Sequence, residues 1–84
     1  MPVLTCERVI YFSNGDEKAF FDWLNSIKVV RKWHGVGDSL FLQVPRRVSA
    51  LGYRELDAFF RRYGIDRKQL GQLSSKAAPR RSVA

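Results

Sequence analysis

Val29-Val30-Arg31-Lys32-Trp33-His34-Gly35-Val36-Gly37-Asp38-Ser39-Leu40-Phe41-Leu42-Gln43-Val44 reads as a β-hairpin, with two β-rich runs meeting at Gly35-Val36-Gly37-Asp38. Two glycines within so short a connection allow the positive φ values that tight hairpin turns require. With a loop of even length, odd positions of the first run face even positions of the second. Strict alternation then puts Val29, Arg31, Trp33, Leu40, Leu42 and Val44 on one side, and Val30, Lys32, His34, Phe41 and Gln43 on the other. The first set is the core face and the second is the wetter one. A loop of odd length would instead set Trp33 against Phe41, so the assignment turns on the length of the loop.

Working outward, Leu4 to Phe12 reads as the first strand, with Val9-Ile10-Tyr11-Phe12 its most β-prone part. Its even positions, Leu4, Cys6, Ile10 and Phe12, form the expected core side, and Glu7, Val9 and Tyr11 the opposite side. Ser13 with Asp16, or Asn14 with Glu17, supplies a helix cap, and Phe20, Trp23, Leu24 and Ile27 recur at helical spacing over about Asp16 to Ile27. Beyond the hairpin, Pro45 ends the strand and Arg46 to Gly52 forms a basic connection. A second helix is predicted over about Tyr53 to Tyr63, with Leu56, Phe59, Phe60 and Tyr63 on its apolar face. Gly64 suits the left-handed position past its end, and Asp66 with Gln69 caps a further short turn carrying Leu70 and Leu73.

The order β-α-β-β-α predicts an α+β domain over residues 1–73, a split βαβ that amounts to a ferredoxin-like half. The expected sheet is three-stranded and antiparallel with strand order 1-3-2, and both helices cover one face. A complete ferredoxin-like sheet would add a fourth strand beside the first. Nothing after Ile65 has that character, so the outer edge of the first strand is left for the tail, a loop or another subunit to cover. Residues 74–84 lack periodicity and read as a disordered basic tail.

Asp16 to Leu24, the Gly-rich turn before Leu40-Phe41-Leu42, and Phe60-Arg61-Arg62-Tyr63-Gly64-Ile65-Asp66 with Gln69-Leu70 together resemble a set of short uncharacterised bacterial proteins. The resemblance spans most of the folded part. It implies no activity, cofactor or site residue.

Eighty-four residues suffice for one domain, and 45% apolar content supports a packed core. The single cysteine, Cys6, leaves neither an intramolecular disulfide nor a multi-cysteine metal site, which suits a reducing compartment. No apolar run of signal-peptide length opens the chain, and no stretch approaches the ~20 apolar residues of a membrane span, so the expected location is cytoplasmic.

The net charge of +7 is unevenly placed. Residues 1–27 set Arg8 and Lys18 against Glu7, Asp16, Glu17 and Asp22, a balance of −2, which leaves +9 on residues 28–84. Such asymmetry favours an acidic protein, nucleic acid or an anionic membrane, against the plainer reading of a solubilising surface. Membrane binding ranks last, because both amphipathic helices are needed for the core.

Enzymatic chemistry finds little to work with. The face assignment separates Cys6 from His34, and the carboxylates are explained by capping, solvation and turn formation. Gly35-Val36-Gly37 joins two strands rather than opening a helix, so it is no phosphate loop, and no cofactor or metal is implied. The candidate binding face is instead the open sheet surface: Tyr11, Lys32, His34, Phe41 and Gln43, with Arg46 and Arg47 beyond the third strand. Aromatics among basic residues suit unpaired bases. The same face, half apolar through Val9, Tyr11, Val30 and Phe41, equally suits a second copy in a homodimer. A second candidate is the basic helix face of Arg54, Arg61, Arg62, Arg67 and Lys68, which suits an acidic protein. An interaction domain for a protein or for itself is the leading reading, and single-stranded RNA binding is the alternative.

Overall fold

The computed structural model describes residues 2–75. Its elements are β1 (Val3–Glu7), α1 (Asn14–Ser26), β2 (Lys32–Val36), β3 (Ser39–Gln43), β4 (Arg47–Val48), α2 (Ala50–Tyr63), a 3-10 helix (Arg67–Gln72) and β5 (Ser74–Ser75). The main sheet is antiparallel in the order β1-β3-β2, as the hairpin and the βαβ order predict.

Only Gly37 and Asp38 separate β2 from β3, and Gly37 has the positive φ of 58° that a tight turn needs. The loop is therefore even, and Trp33 lies opposite Leu42, with His34 opposite Phe41. Leu4, Cys6, Leu42 and Val44 bury the inner side of the sheet against Phe20 and Leu24 of α1 and Leu56, Phe59 and Phe60 of α2. Both helices thus cover one face.

The helices are bounded by local chemistry. Ser13 Oγ accepts from the Asp16 N–H (3.1 Å), while the Asp16 carboxylate takes the Phe12 N–H (2.9 Å). Two amide donors at the helix start are thereby satisfied. α2 begins earlier than its apolar spacing predicts, because Ser49 caps it by accepting from the Gly52 N–H (3.0 Å). Gly64, at φ 67°, ends it in the left-handed conformation, and the Ile65 N–H returns to the Phe60 carbonyl (2.8 Å). Gly52 leaves room for Val29, because a Cβ there would collide with Val29 Cγ1.

The first strand departs from its expected course. β1 stops at Glu7 because Arg8 adopts a φ of 50°, and this one residue reverses the alternation that follows. Ile10 and Phe12, expected in the core, are 73% and 85% exposed, while Val9 and Tyr11 turn inward and pack on the core cluster. The tail boundary also moves. Ser74 and Ser75 pair in parallel with Arg47 and Val48, and the Ser74 N–H donates to the Arg46 carbonyl (2.7 Å). The rest of the predicted tail lies outside the described residues.

Candidate functional site

The uncovered side of the sheet is set out by strand register. Across β1, β3 and β2, successive rows on this side are Val3, Gln43 and Lys32; then Thr5, Phe41 and His34; then Glu7, Ser39 and Val36. Val3, Glu7, Lys32, His34 and Val36 at the margins are exposed, Thr5 and the middle strand are half-buried, and none of the nine is buried. Phe41 is its centre, and the His34 ring stacks beside it with centroids 5.3 Å apart and planes inclined by 27°. Val3 (45% exposed) and Val36 (61% exposed) complete an apolar diagonal through Phe41. The other two corners are Lys32 and Glu7, of opposite charge.

Of the predicted face, Lys32, His34, Phe41 and Gln43 are brought together, with Arg46 and Arg47 exposed just past β3. Tyr11 is not among them. Its ring packs 5.3 Å from Phe20 and 6.2 Å from Phe21, on the covered side, because the turn at Arg8 reverses its direction. Burial, with Glu17 as the next cause, pushes its hydroxyl pKa up. Val9 and Val30 likewise pack on the core cluster. The open face therefore keeps Phe41 as its one large apolar side chain from the predicted set. It gains Val3, Thr5, Val36 and Ser39: alternation within β1 and β3 places three of them there, and Val36 joins because β2 runs one residue past Gly35 into what the sequence marks as the turn.

The predicted basic helix face divides. Arg61 and Arg67 both pair with Asp57, at 3.4 and 3.2 Å, and Arg62 lies 3.9 Å from Asp16 while covering the Tyr63 ring at 5.0 Å. Arg67 and Lys68 belong to the 3-10 helix, not to α2. Arg54 and Lys68 make no ion pair among the described residues. Two carboxylates, Asp57 and Asp16, thus offset up to two of the five charges and leave a weaker field than the sequence suggests.

Gln69 does something its capping role did not foretell. Its Oε1 accepts the Thr5 N–H (2.7 Å) and its Nε2 donates to the Thr5 carbonyl (2.8 Å) and to the Asp66 carbonyl (2.8 Å). One side-chain amide thus offers β1 the donor and acceptor that a neighbouring strand would offer. It stands on the side of β1 where a complete ferredoxin-like sheet would carry its fourth strand.

Cys6 and His34 lie on opposite sides of the sheet. Burial pushes the Cys6 thiol from the ordinary 9.0 up to about 12, so it is held as a neutral thiol. Because the folded value is raised, the stability linked to this proton is present below pH 9.0 and is lost as pH rises toward about 12. Alkaline titration of thermal unfolding should therefore show a decline that Cys6→Ala makes shallower. An unchanged slope would mean that the thiol does not contribute. A disulfide reagent at pH 8 should likewise react with the native chain only as fast as it unfolds.

Among the described residues, no three or more His, Cys, Asp or Glu side chains gather where they could hold a metal ion, and no helix is long and apolar enough to cross a membrane. No protein-family model, curated protein or solved structure matches the chain.

Proposed function

We propose that the protein is a small non-enzymatic interaction domain that binds a protein surface, its own copy included, through the open face of the sheet. The observation that carries this reading is the diagonal of Val3, Phe41 and Val36, an apolar strip across a face that is otherwise polar. A hydrophobic centre with a polar rim is the usual anatomy of a binding surface. The charged corners fit self-association in particular. A two-fold axis along the diagonal sets each Lys32 toward the Glu7 of the other copy, which is the self-complementarity an isologous dimer needs.

Phe41→Ala tests the reading. Phe41 is half-buried, so its loss should move the thermal midpoint only modestly. In sedimentation equilibrium, the parent should show a concentration-dependent mass that Phe41→Ala lowers. Glu7→Lys should weaken association, and Glu7→Lys combined with Lys32→Glu should restore it. A parent that stays monomeric at all concentrations removes the dimer and leaves a different protein as the partner.

A second reading rests on the His34–Phe41 stack beside Lys32, Arg46 and Arg47. If these bind single-stranded RNA, Phe41→Ala weakens an oligouridine complex by about 1–3 kcal/mol per stacked base. Lys32→Ala and Arg47→Ala then flatten its salt dependence. With Tyr11 on the covered side, this platform has one aromatic pair rather than the wider surface the sequence suggests.

A further inference from the structure

The two edges of the sheet are treated differently. On β1, Gln69 occupies both main-chain groups of Thr5. Those groups point away from β3, so Leu4 and Cys6 direct theirs toward β3, where they meet Leu42 and Leu40. The intervening residues of β3, namely Ser39, Phe41 and Gln43, then bond to β2 through Val36, His34 and Lys32. The N–H and C=O groups of Trp33 and Gly35 are left pointing outward from β2, and no described residue's side chain bonds to them.

An unpaired edge of this kind is a template for another strand. Its surroundings select the chemistry of that strand. Lys28, Arg31 and Lys32 are exposed where β2 begins, and none of them makes an ion pair among the described residues. Asp38, in the turn, stands at the far end of β2. An acidic strand complements these three cations.

We infer that the free edge of β2 accepts an extended acidic peptide segment as a fourth strand, through main-chain hydrogen bonds at Trp33 and Gly35 and charge contacts at Lys28, Arg31 and Lys32. The inference rests on reading the protein as an interaction domain, but it uses the edge of the sheet and not the Phe41 face. Such a segment lies beside Trp33, whose Nε1 already donates to Asn25 Oδ1 (2.9 Å) and is held in place by α1. It extends the sheet on the side that the hairpin leaves open, while Gln69 keeps the opposite side closed.

The probe is a blocked dodecapeptide alternating Glu and Thr, compared with its Lys-for-Glu counterpart and with a form N-methylated at every second residue, each added to the full chain. Fluorescence anisotropy reports binding, and amide hydrogen exchange reports where it occurs. The acidic peptide should bind and slow exchange at Trp33 and Gly35 by about tenfold or more when saturating. The basic and N-methylated peptides should do neither. Arg31→Glu with Lys32→Glu, both at exposed sites, should weaken binding about tenfold or more, and Phe41→Ala should leave it intact. The inference is overturned if the acidic peptide fails to bind or protects neither amide. It is equally overturned if the N-methylated form binds as well, or if protection grows with protein concentration alone, which would identify a second copy as the occupant. Loss of peptide binding in Phe41→Ala, without protection of the two amides, would assign the peptide to the open face instead.

Discussion

Phe20→Ala should remove most of the stability of the fold. The Phe20 ring is fully buried and lies 4.8 Å from Phe59, 4.8 Å from Tyr63, 5.0 Å from Phe21 and 5.3 Å from Tyr11, so it joins α1, α2 and the segment after β1 in one cluster. Truncating a buried phenylalanine costs roughly 3–5 kcal/mol in lost transfer free energy and cavity formation, and edge-on ring pairs add about 0.5–1.5 kcal/mol each. A domain of this size has only about 5–15 kcal/mol in total, and a small core puts it toward the lower end. Urea unfolding followed by near-ultraviolet circular dichroism should show the transition moved to very low denaturant or lost. A midpoint equal to that of the parent would mean that the helices do not pack through this ring.

The second large effect is expected at Gln69. Gln69→Leu keeps a side chain of similar size but leaves the Thr5 N–H and carbonyl without their partners. An unsatisfied, partly buried main-chain group costs about 1–3 kcal/mol, and access of water to this half-buried site holds the sum for the two toward about 2 kcal/mol. Gln69→Glu separates the two bonds. An ionised carboxylate still accepts from the Thr5 N–H but faces the Thr5 carbonyl with no proton to give, so the variant should be destabilised at pH 7. Protonation restores a donor, and because the folded state favours the protonated form the deficit should shrink as the pH falls toward the ordinary glutamate value of about 4.3 and be least below it. If Gln69→Leu matches the parent in urea, the amide is not bearing on β1.

Much of this architecture is legible in the sequence, and the misreadings share a physical cause. The alternation of Trp33, Leu40, Leu42 and Val44 identified the covered side of the hairpin because an even turn preserves register, and the two-residue turn at Gly37-Asp38 does so. In the first strand the same rule failed after Glu7. Period-two alternation holds only while the backbone stays extended, and a positive φ at an arginine carries no compositional mark. Strict alternation therefore predicts Ile10 and Phe12 inward, and Tyr11 outward onto the candidate face, and each does the opposite. The early start of α2 escaped notice because Ser49 is followed at the third helical position by Gly52 rather than by Glu or Gln, so no reciprocal cap is visible.

The long-range polar contacts were out of reach for a different reason. Trp23 Nε1 donates to Glu55 Oε1 (3.0 Å) across the two helices, and Gln69 reaches Thr5; neither pairing has a local pattern from which it can be read. For the candidate site, alternation was enough to gather Lys32, His34, Phe41 and Gln43. The basic helix face is weaker than its arginines suggest in part for a legible reason, since Asp57 stands four positions before Arg61, and in part because helical spacing says nothing of Asp16 arriving beside Arg62.

The clasp between Gln69 and Thr5 joins residues 64 positions apart, and this bears on how the chain is made. During synthesis β1 emerges first and waits for neighbours on both flanks: β3 on one, and on the other a glutamine close to the end of the described chain. Until that residue leaves the ribosome, the strand has an unguarded side, the condition in which nascent β-segments join one another. A product terminated before Gln69 would carry the same exposed side permanently. Closure of β1 on this flank therefore waits until an amide 64 positions downstream has been made.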